Sequence, residues 1–314
     1  MKVRNSNNSL ENPLVSIIVI TYNSSKYVLE TLESAKSQTY KNIELIISDD
    51  CSTDDTREKC EIWLEENNEH FASTKLVTTF INTGIPGNAN RGINASKGTW
   101  IKLIAGDDVL IYNGIENLVT TVTNFPNMEI LLSQVEIFNN NFNENNVKGL
   151  GISDWQIRDV LQDNTSPDIQ IEYLLKGYPF PGPGFFIKKD LLISTGGYSE
   201  KYPLIEDMPF CLKVLFENKI IFFRPIITVK YRKHSENLTG KSNSTLASYH
   251  LQSTIILFKG SIKYGKMKFI IINTWNLIFV KTIFMLGNKG KFCLFINKIR
   301  IYAHPRRFFS LLGI

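Results

Sequence analysis

Two hydrophobic patterns alternate along the first hundred residues of this chain. Predominantly apolar, largely β-branched runs at 14–20, 43–47, 75–81 and 100–105 are separated by stretches in which apolar residues recur every three or four positions. A run without polar alternation predicts a strand covered on both faces, and the three-to-four spacing predicts an amphipathic helix. Val28, Leu29, Leu32 and Ala35 carry the first helix up to Gln38, capped by Ser24 or Ser25. A second helix follows Thr56 towards Glu66. A third passes through Asn90, Ile93 and Ala95 and closes at Lys97-Gly98. The order βαβαβαβ predicts a mostly parallel sheet with right-handed crossovers, whose ligands bind at the carboxyl edge of the strands.

The later part of the chain is patterned differently. Pro179-Phe-Pro-Gly182-Pro-Gly184 predicts a rigid turn that brings backbone close to a bound group, and residues 185–188 begin another strand. Phe210, Leu212, Val214, Leu215 and Phe216 predict a helix with a broad apolar face. Leu251, Ile255, Ile256, Phe258 and Ile262 predict an amphipathic helix. Residues 269–280 form an apolar segment too short for the roughly 20 residues that cross a bilayer.

Charge sharpens the division. No acidic residue follows Glu236, while 12 lysines and arginines do, leaving 23 basic against 30 acidic residues before that point in a chain of net charge +5. The expected organisation is a loose polar tail at 1–12, a catalytic domain at 13–240 with halves at 13–110 and 111–240, and a basic helical region at 241–314. Lys and Arg interleaved with Phe, Trp275 and aliphatics suit an anionic membrane surface, and they lack the readout surface of a nucleic-acid binder. The four cysteines show no pairing pattern and no apolar leader precedes them, so reduced thiols in the cytoplasm are expected.

Candidate chemistry sits at the strand ends. Gly106-Asp107-Asp108 follows the 100–105 run, placing two neighbouring carboxylates at the sheet edge. Such a pair is costly unless a positive group lies between, and oxygen ligands suit Mg²⁺ or Mn²⁺ carrying a diphosphate. The 43–47 run also ends in acids, Ser48-Asp49-Asp50. No G-x-G-x-x-G follows the first strand, which argues against a dinucleotide fold.

The segments Val15-Ser-Ile-Ile-Val-Ile-Thr-Tyr-Asn23, Gln38-Thr-Tyr, Glu44-Leu-Ile-Ile-Ser-Asp-Asp-Cys-Ser-Thr-Asp-Asp-Thr56, Asn82-Thr-Gly, Asn90-Arg-Gly-Ile-Asn-Ala-Ser-Lys-Gly98 and Gly106-Asp-Asp resemble, in order and spacing, the family 2 glycosyltransferases. That resemblance implies a GT-A fold, a Rossmann-like α/β architecture, and inverting transfer from a nucleotide sugar. It implies nucleotide contacts from Thr21, Tyr22, Asn23, Asp50 and Asp107: Tyr22 against the base, Asp50 on a uracil imide, Asp107 on the ribose or beside the metal. It places the Mn²⁺ or Mg²⁺ on Asp108, and His234 on the metal or diphosphate. From Gly196-Gly-Tyr-Ser-Glu200 and Glu206-Asp207 it implies Asp207 as catalytic base, with Glu206, Arg232, Gly84 and Gly184 in support. The family often carries a further acid two residues before Asp107, where this chain has Ala105.

The expected reaction is sugar transfer from a UDP-sugar to a carbohydrate acceptor in surface polysaccharide assembly, such as O-antigen or capsule. The basic region suggests a polyprenyl-diphosphate-linked acceptor and a peripheral position on the inner face of the cell membrane. Two alternatives are a nucleotidyltransferase that makes nucleotide sugars, which would want a Gly-rich basic loop after its first strand, and a carbohydrate-binding scaffold without turnover.

Overall fold

A computed structural model describes residues 12–235, 237, 243–287, 291–302, 304–306 and 309. The expected tail at 1–12 therefore lies, except for Asn12, outside the described residues. The described residues divide into two compact units, one drawn from Met1–Thr165, Pro181–Glu206 and Ile220–Lys233, the other from Ser166–Phe180, Asp207–Lys219 and His234–Ile314.

The first unit is α/β. Its opening elements are β1 (Val15–Thr21), α1 (Val28–Lys36), β2 (Ile43–Asp49), α2 (Thr56–Asn67), β3 (Ser73–Thr78), α3 (Gly84–Ala95) and β4 (Trp100–Ala105). The alternation expected from the apolar runs is present, and β1 pairs in parallel with both β2 and β4, while β3 pairs in parallel with β2. The third strand is shorter than the apolar run suggested: residues 79–81 leave the sheet, with Phe80 and Ile81 exposed. Every side chain of β2 and nearly every one of β1 is buried, as strands covered on both faces require.

After β4 come β5 (Val109–Leu110), α4 (Gly114–Asn124), β6 (Ile130–Asn139), β7 (Val147–Leu150), α5 (Asp154–Val160), β8 (Phe185–Lys188), α7 (Lys189–Ser194) and β9 (Phe222–Lys233), with α6 (Pro167–Leu175) in the second unit. The strands form one sheet in the order β3-β2-β1-β4-β8-β6-β9-β5, with β7 on β6. Here the sheet becomes mixed, because β8 runs antiparallel to β4 and to β6 while β9 runs parallel to β6.

Buried polar groups fix the loops of this sheet. Glu44 on β2 accepts from Ser16 Oγ and from the Gly98 amide at 2.7 Å, closing the turn into β4. Gly98 is needed there, since a Cβ would lie 2.4 Å from Ser16 Oγ. Gln38, fully buried, donates to Ser34 O and Ile111 O and accepts from the Ile115 amide, which ties the end of α1 to the start of α4. A buried amide with its bonds made costs little, and one left unpaired costs about 1–3 kcal/mol.

The second unit is helical among its described residues. It contains α6, α8 (Asp207–Phe216), α9 (Asn243–Tyr264), α10 (Met267–Met285) and α11 (Lys291–Tyr302). The apolar segment read at 269–280 is part of the longer α10, which runs through Lys281 because a helix tolerates one exposed charge on its surface.

Candidate active site

Register sets the site. Thr21 stands opposite Asp49 and Ile20 opposite Ala105, so β1, β2 and β4 end at one level. Tyr22, Asp50 and Gly106 thus follow three neighbouring parallel strands, with Tyr22 in the middle. The Asp50 amide bonds Thr21 O at 3.0 Å and the Gly106 amide bonds Ile20 O at 2.9 Å, carrying the ladder one step into the loops. Gly106 must be glycine because a Cβ would lie 2.9 Å from Thr21 Cγ2.

Tyr22 is 43% exposed at this edge, which leaves ring surface available for stacking. Its two neighbours also hold the loop. Thr21 is buried and its hydroxyl donates to Asp49 Oδ1 at 2.9 Å. Asn23, in the left-handed region at φ 51°, accepts from the Thr53 amide at 2.8 Å while its own amide donates to Ser52 Oγ at 2.9 Å. Asp54 accepts from Thr56 and from the Ser25 amide, and those bonds hold its carboxyl below the usual value against the opposing effect of burial.

Asp50 is buried and heavily bonded. The Thr83 amide donates to both its oxygens (3.0 and 2.9 Å), Thr83 Oγ1 to Oδ1 (2.6 Å), the Gly84 amide to Oδ2 (2.8 Å) and Arg91 Nη2 to Oδ1 (3.0 Å). A carboxylate offers about four acceptor positions, so these bonds use its capacity. A uracil imide reaches Asp50 only by displacing one of them. Gly84 has φ +78°, and a Cβ there would meet Pro203 O at 2.5 Å, so loop 82–84 is pressed against loop 199–205.

The two acids of the turn after β4 differ sharply. Asp108 is fully buried; its Oδ1 accepts from the Arg232 amide at 2.8 Å and its Oδ2 has no hydrogen-bond partner among the described residues. Burial, then the Asp107 charge, pushes its carboxyl well above the usual value, against the Arg232 and Lys102 charges. Asp107, in the same turn, is partly exposed, so the two acids offer a bound group different access. Among the described residues no three His, Cys, Asp or Glu side chains cluster as a ready-made metal cage. Mg²⁺ and Mn²⁺ sites on nucleotides are commonly built from one or two carboxylates plus the phosphates, and the Asp107-Asp108 turn fits that pattern.

Arg232 holds this turn from β9. Its Nε donates to Asp107 O at 2.7 Å, Nη1 to Asn140 O at 2.8 Å and Nη2 to Glu30, while its guanidinium lies 4.4 Å from the Tyr27 ring centre and 4.0 Å from that of Phe142. From the other side Thr31 Oγ1 donates to Asp108 O at 2.7 Å, and Ser34 Oγ accepts from the Leu110 amide at 3.0 Å.

Lys102 stands in the middle of β4, inside the run that predicts the strand. It is fully buried, with Nζ donating to Pro183 O at 2.5 Å and Phe185 O at 3.4 Å. Burial lowers its pKa to about 7, opposed by the charge of Asp108. The signal was present: a lysine inside a strand predicted to be covered on both faces has no route to water and must find internal acceptors. Through it β4 grips the Pro-Gly turn, where Gly184 packs so closely that a Cβ would lie 2.5 Å from Ser133 O.

In the second unit, Asp207 opens α8. The Met208 amide donates to its Oδ1 at 2.6 Å, and burial raises its pKa to about 6 against the backbone bonds that lower it. Glu206 precedes it and is half-buried. His234 is half-buried, with its amide donating to Asn237 Oδ1 at 2.5 Å.

A sequence model described as glycosyl transferase family 2 matches residues 16–183. Glycosyltransferase GlyG of Streptococcus pneumoniae is 35% identical over 109 residues, which is 35% of each chain. The UDP-Glc:alpha-D-GlcNAc-diphosphoundecaprenol beta-1,3-glucosyltransferase WfaP of Escherichia coli is 38% identical over 106 residues, 34% of this chain and 40% of WfaP. The match thus spans well under half of these two relatives. Among solved structures, S. aureus TarS 1-349 in complex with UDP-GlcNAc superposes with a TM-score of 0.60 at 18% identity, covering 83% of this chain and 72% of that one. At such identity the likeness concerns the fold.

Proposed function

This chain belongs to glycosyl transferase family 2, and from that premise we propose that it is an inverting glycosyltransferase that moves a sugar from a UDP-sugar to a carbohydrate acceptor. The observation that carries the reading is the shared edge of β1, β2 and β4, where an exposed aromatic and a partly exposed acid follow neighbouring strands. A UDP donor is favoured because WfaP is named for UDP-Glc and the TarS structure holds UDP-GlcNAc.

Tyr22 stacks on the base, and Asp50 shapes the adjoining loop through Thr83, Gly84 and Arg91, with one of those bonds given up when an imide N–H arrives. Asp107 would hold a divalent cation, Mn²⁺ or Mg²⁺, for the donor diphosphate. When bound, the cation neutralises charge on the departing nucleotide. Arg232 and Asp108 keep the turn that carries Asp107 in place.

Asp207 takes the proton from the acceptor hydroxyl as that oxygen attacks the anomeric carbon from the face opposite the diphosphate. A carboxyl with pKa about 6 is mostly ionised at pH 7 yet basic enough to accept a proton in the transition state. Its place at the start of α8 does not by itself distinguish a base from a residue that favours the positive helix end, and the raised value favours the base, since a helix dipole lowers a carboxyl pKa. Glu206 and His234 are proposed as supporting groups.

The acceptor is proposed to be a lipid-linked sugar at the inner face of the cell membrane, in keeping with the diphosphoundecaprenol acceptor in the name of WfaP. A screen of UDP-sugars with Mn²⁺ for thermal stabilisation tests the donor reading. Ligand at 100 times its Kd adds about 2.7 kcal/mol to the folded state. Stabilisation by at least one UDP-sugar is expected, and none with any UDP compound contradicts the reading.

A further inference from the structure

Helix α10, nineteen residues from Met267 to Met285, has the length and mean hydropathy of a membrane-crossing segment, yet only 17% of its most apolar window is buried. Its buried residues Phe269, Ile272, Asn273 and Val280 lie along one side. Asn273 ties that side to its own unit: Nδ2 donates to Leu175 O at 3.1 Å and to Ser261 Oγ at 2.8 Å, and Ser261 belongs to α9. A helix pinned by a buried amide to two other elements of a folded unit is not free to cross a bilayer.

The opposite side has a different character. Met267, Ile271, Ile278 and Met285 fall within roughly 40° of one another at 100° per residue, and they are 66%, 42%, 57% and 69% exposed. Exposed Lys281 and half-buried Lys268 flank the stripe. On α11, Phe295 and Ile299 are exposed one turn apart, beside exposed Lys298. Every charged side chain from Asn237 onward is basic.

We infer that the Met267-Ile271-Ile278-Met285 face of α10 is a docking surface for an anionic lipid bilayer, lying in the plane of the interface rather than crossing it. The charge argument selects the occupant. A second copy of this unit would present the same excess of positive charge and repel at close range, whereas acidic headgroups complement it and the acyl boundary receives the Met and Ile side chains. This deepens the lipid-linked acceptor reading but does not depend on any transferase activity, so its test uses none.

The test is vesicle co-sedimentation of the full chain, with vesicles of phosphatidylglycerol and phosphatidylethanolamine against vesicles of phosphatidylcholine alone. Expected is binding to the anionic vesicles at least tenfold tighter than to the neutral ones, falling severalfold as salt is raised from 0.1 to 0.5 M. A quadruple variant, Met267→Ser with Ile271→Asn, Ile278→Asn and Met285→Ser, is expected to lose at least tenfold in affinity for the anionic vesicles, with its thermal unfolding unchanged because all four side chains are exposed. The inference is overturned if the variant binds anionic vesicles as tightly as the parent, or if the parent binds both vesicle types equally. Resistance of the bound chain to alkaline carbonate extraction would overturn it too, by showing insertion across the bilayer. So would a dimer in solution that the quadruple variant abolishes.

Discussion

Asn90 and Tyr198 hold each other through both sides of one side-chain amide: Asn90 Nδ2 donates to Tyr198 O at 2.9 Å, and the Tyr198 amide donates to Asn90 Oδ1 at 2.9 Å. The same Nδ2 reaches Glu200 Oε1 at 2.9 Å. Its chain neighbour Arg91 turns the other way, to Asp50 and Thr83 Oγ1. Two adjacent residues on α3 thus hold the Gly196-Gly-Tyr-Ser-Glu200 loop and the loop after β3.

Asn90→Ala removes all three bonds. Losing hydrogen bonds of this kind together costs about 1–3 kcal/mol, so a fall of that size in unfolding free energy is expected from urea titration. An unchanged midpoint would mean the loop is held elsewhere.

The division of labour between Asp107 and Asp108 predicts opposite responses to removing one charge. Asp107→Asn should abolish the gain in UDP affinity that Mn²⁺ provides, measured by calorimetry with and without the ion. Asp108→Asn should keep that gain, since the amide oxygen still accepts from the Arg232 N–H. A reversed pattern would return the cation to Asp108.

Lys102→Met should destabilise the fold by about 1–3 kcal/mol for each carbonyl left without a donor, those of Pro183 and Phe185. It also strips Asp108 of a nearby positive charge. An unchanged or higher unfolding free energy would show that the ammonium does not fasten the Pro-Gly turn.

Asp207 predicts a pH signature in stability. Its folded value, about 6, lies above the 3.8 of a free side chain, so ionising it works against folding. The cost is absent below pH 4, grows between pH 4 and 6 and is fully present above. Asp207→Asn should therefore melt higher than the parent at pH 8 and alongside it at pH 4. A variant that melts lower at pH 8 would show that the carboxylate stabilises the fold.

The parallel half of the sheet was legible because continuous apolar runs, closed by Asn, Asp and Gly, have few other folds open to them. Strand ends also gave the site's neighbourhood. What the chain did not reveal is which of two adjacent acids is enclosed, since that depends on the backbone of a turn and on an arginine 124 residues away whose amide donates to Asp108. Nor did it show that Asp50 is occupied by Thr83, Gly84 and Arg91, contacts set by the packing of α3 on β2. The mixed order around β8, β6 and β9 rests on long-range pairing that local periodicity does not encode. The uncharged C-terminal run stops before Lys281, whereas the helix continues to Met285, since an exposed lysine does not interrupt a helix.

The central claim is inverting sugar transfer with Asp207 as the base. Its most direct test is to follow UDP release and the anomeric configuration of the product by NMR, for the parent and for Asp207→Asn, with a UDP-sugar found by thermal stabilisation. The account predicts a product of inverted configuration, with turnover lost in the variant by roughly 10²–10⁴ and UDP affinity retained. A product of retained configuration, or a variant that turns over as fast as the parent, would contradict it.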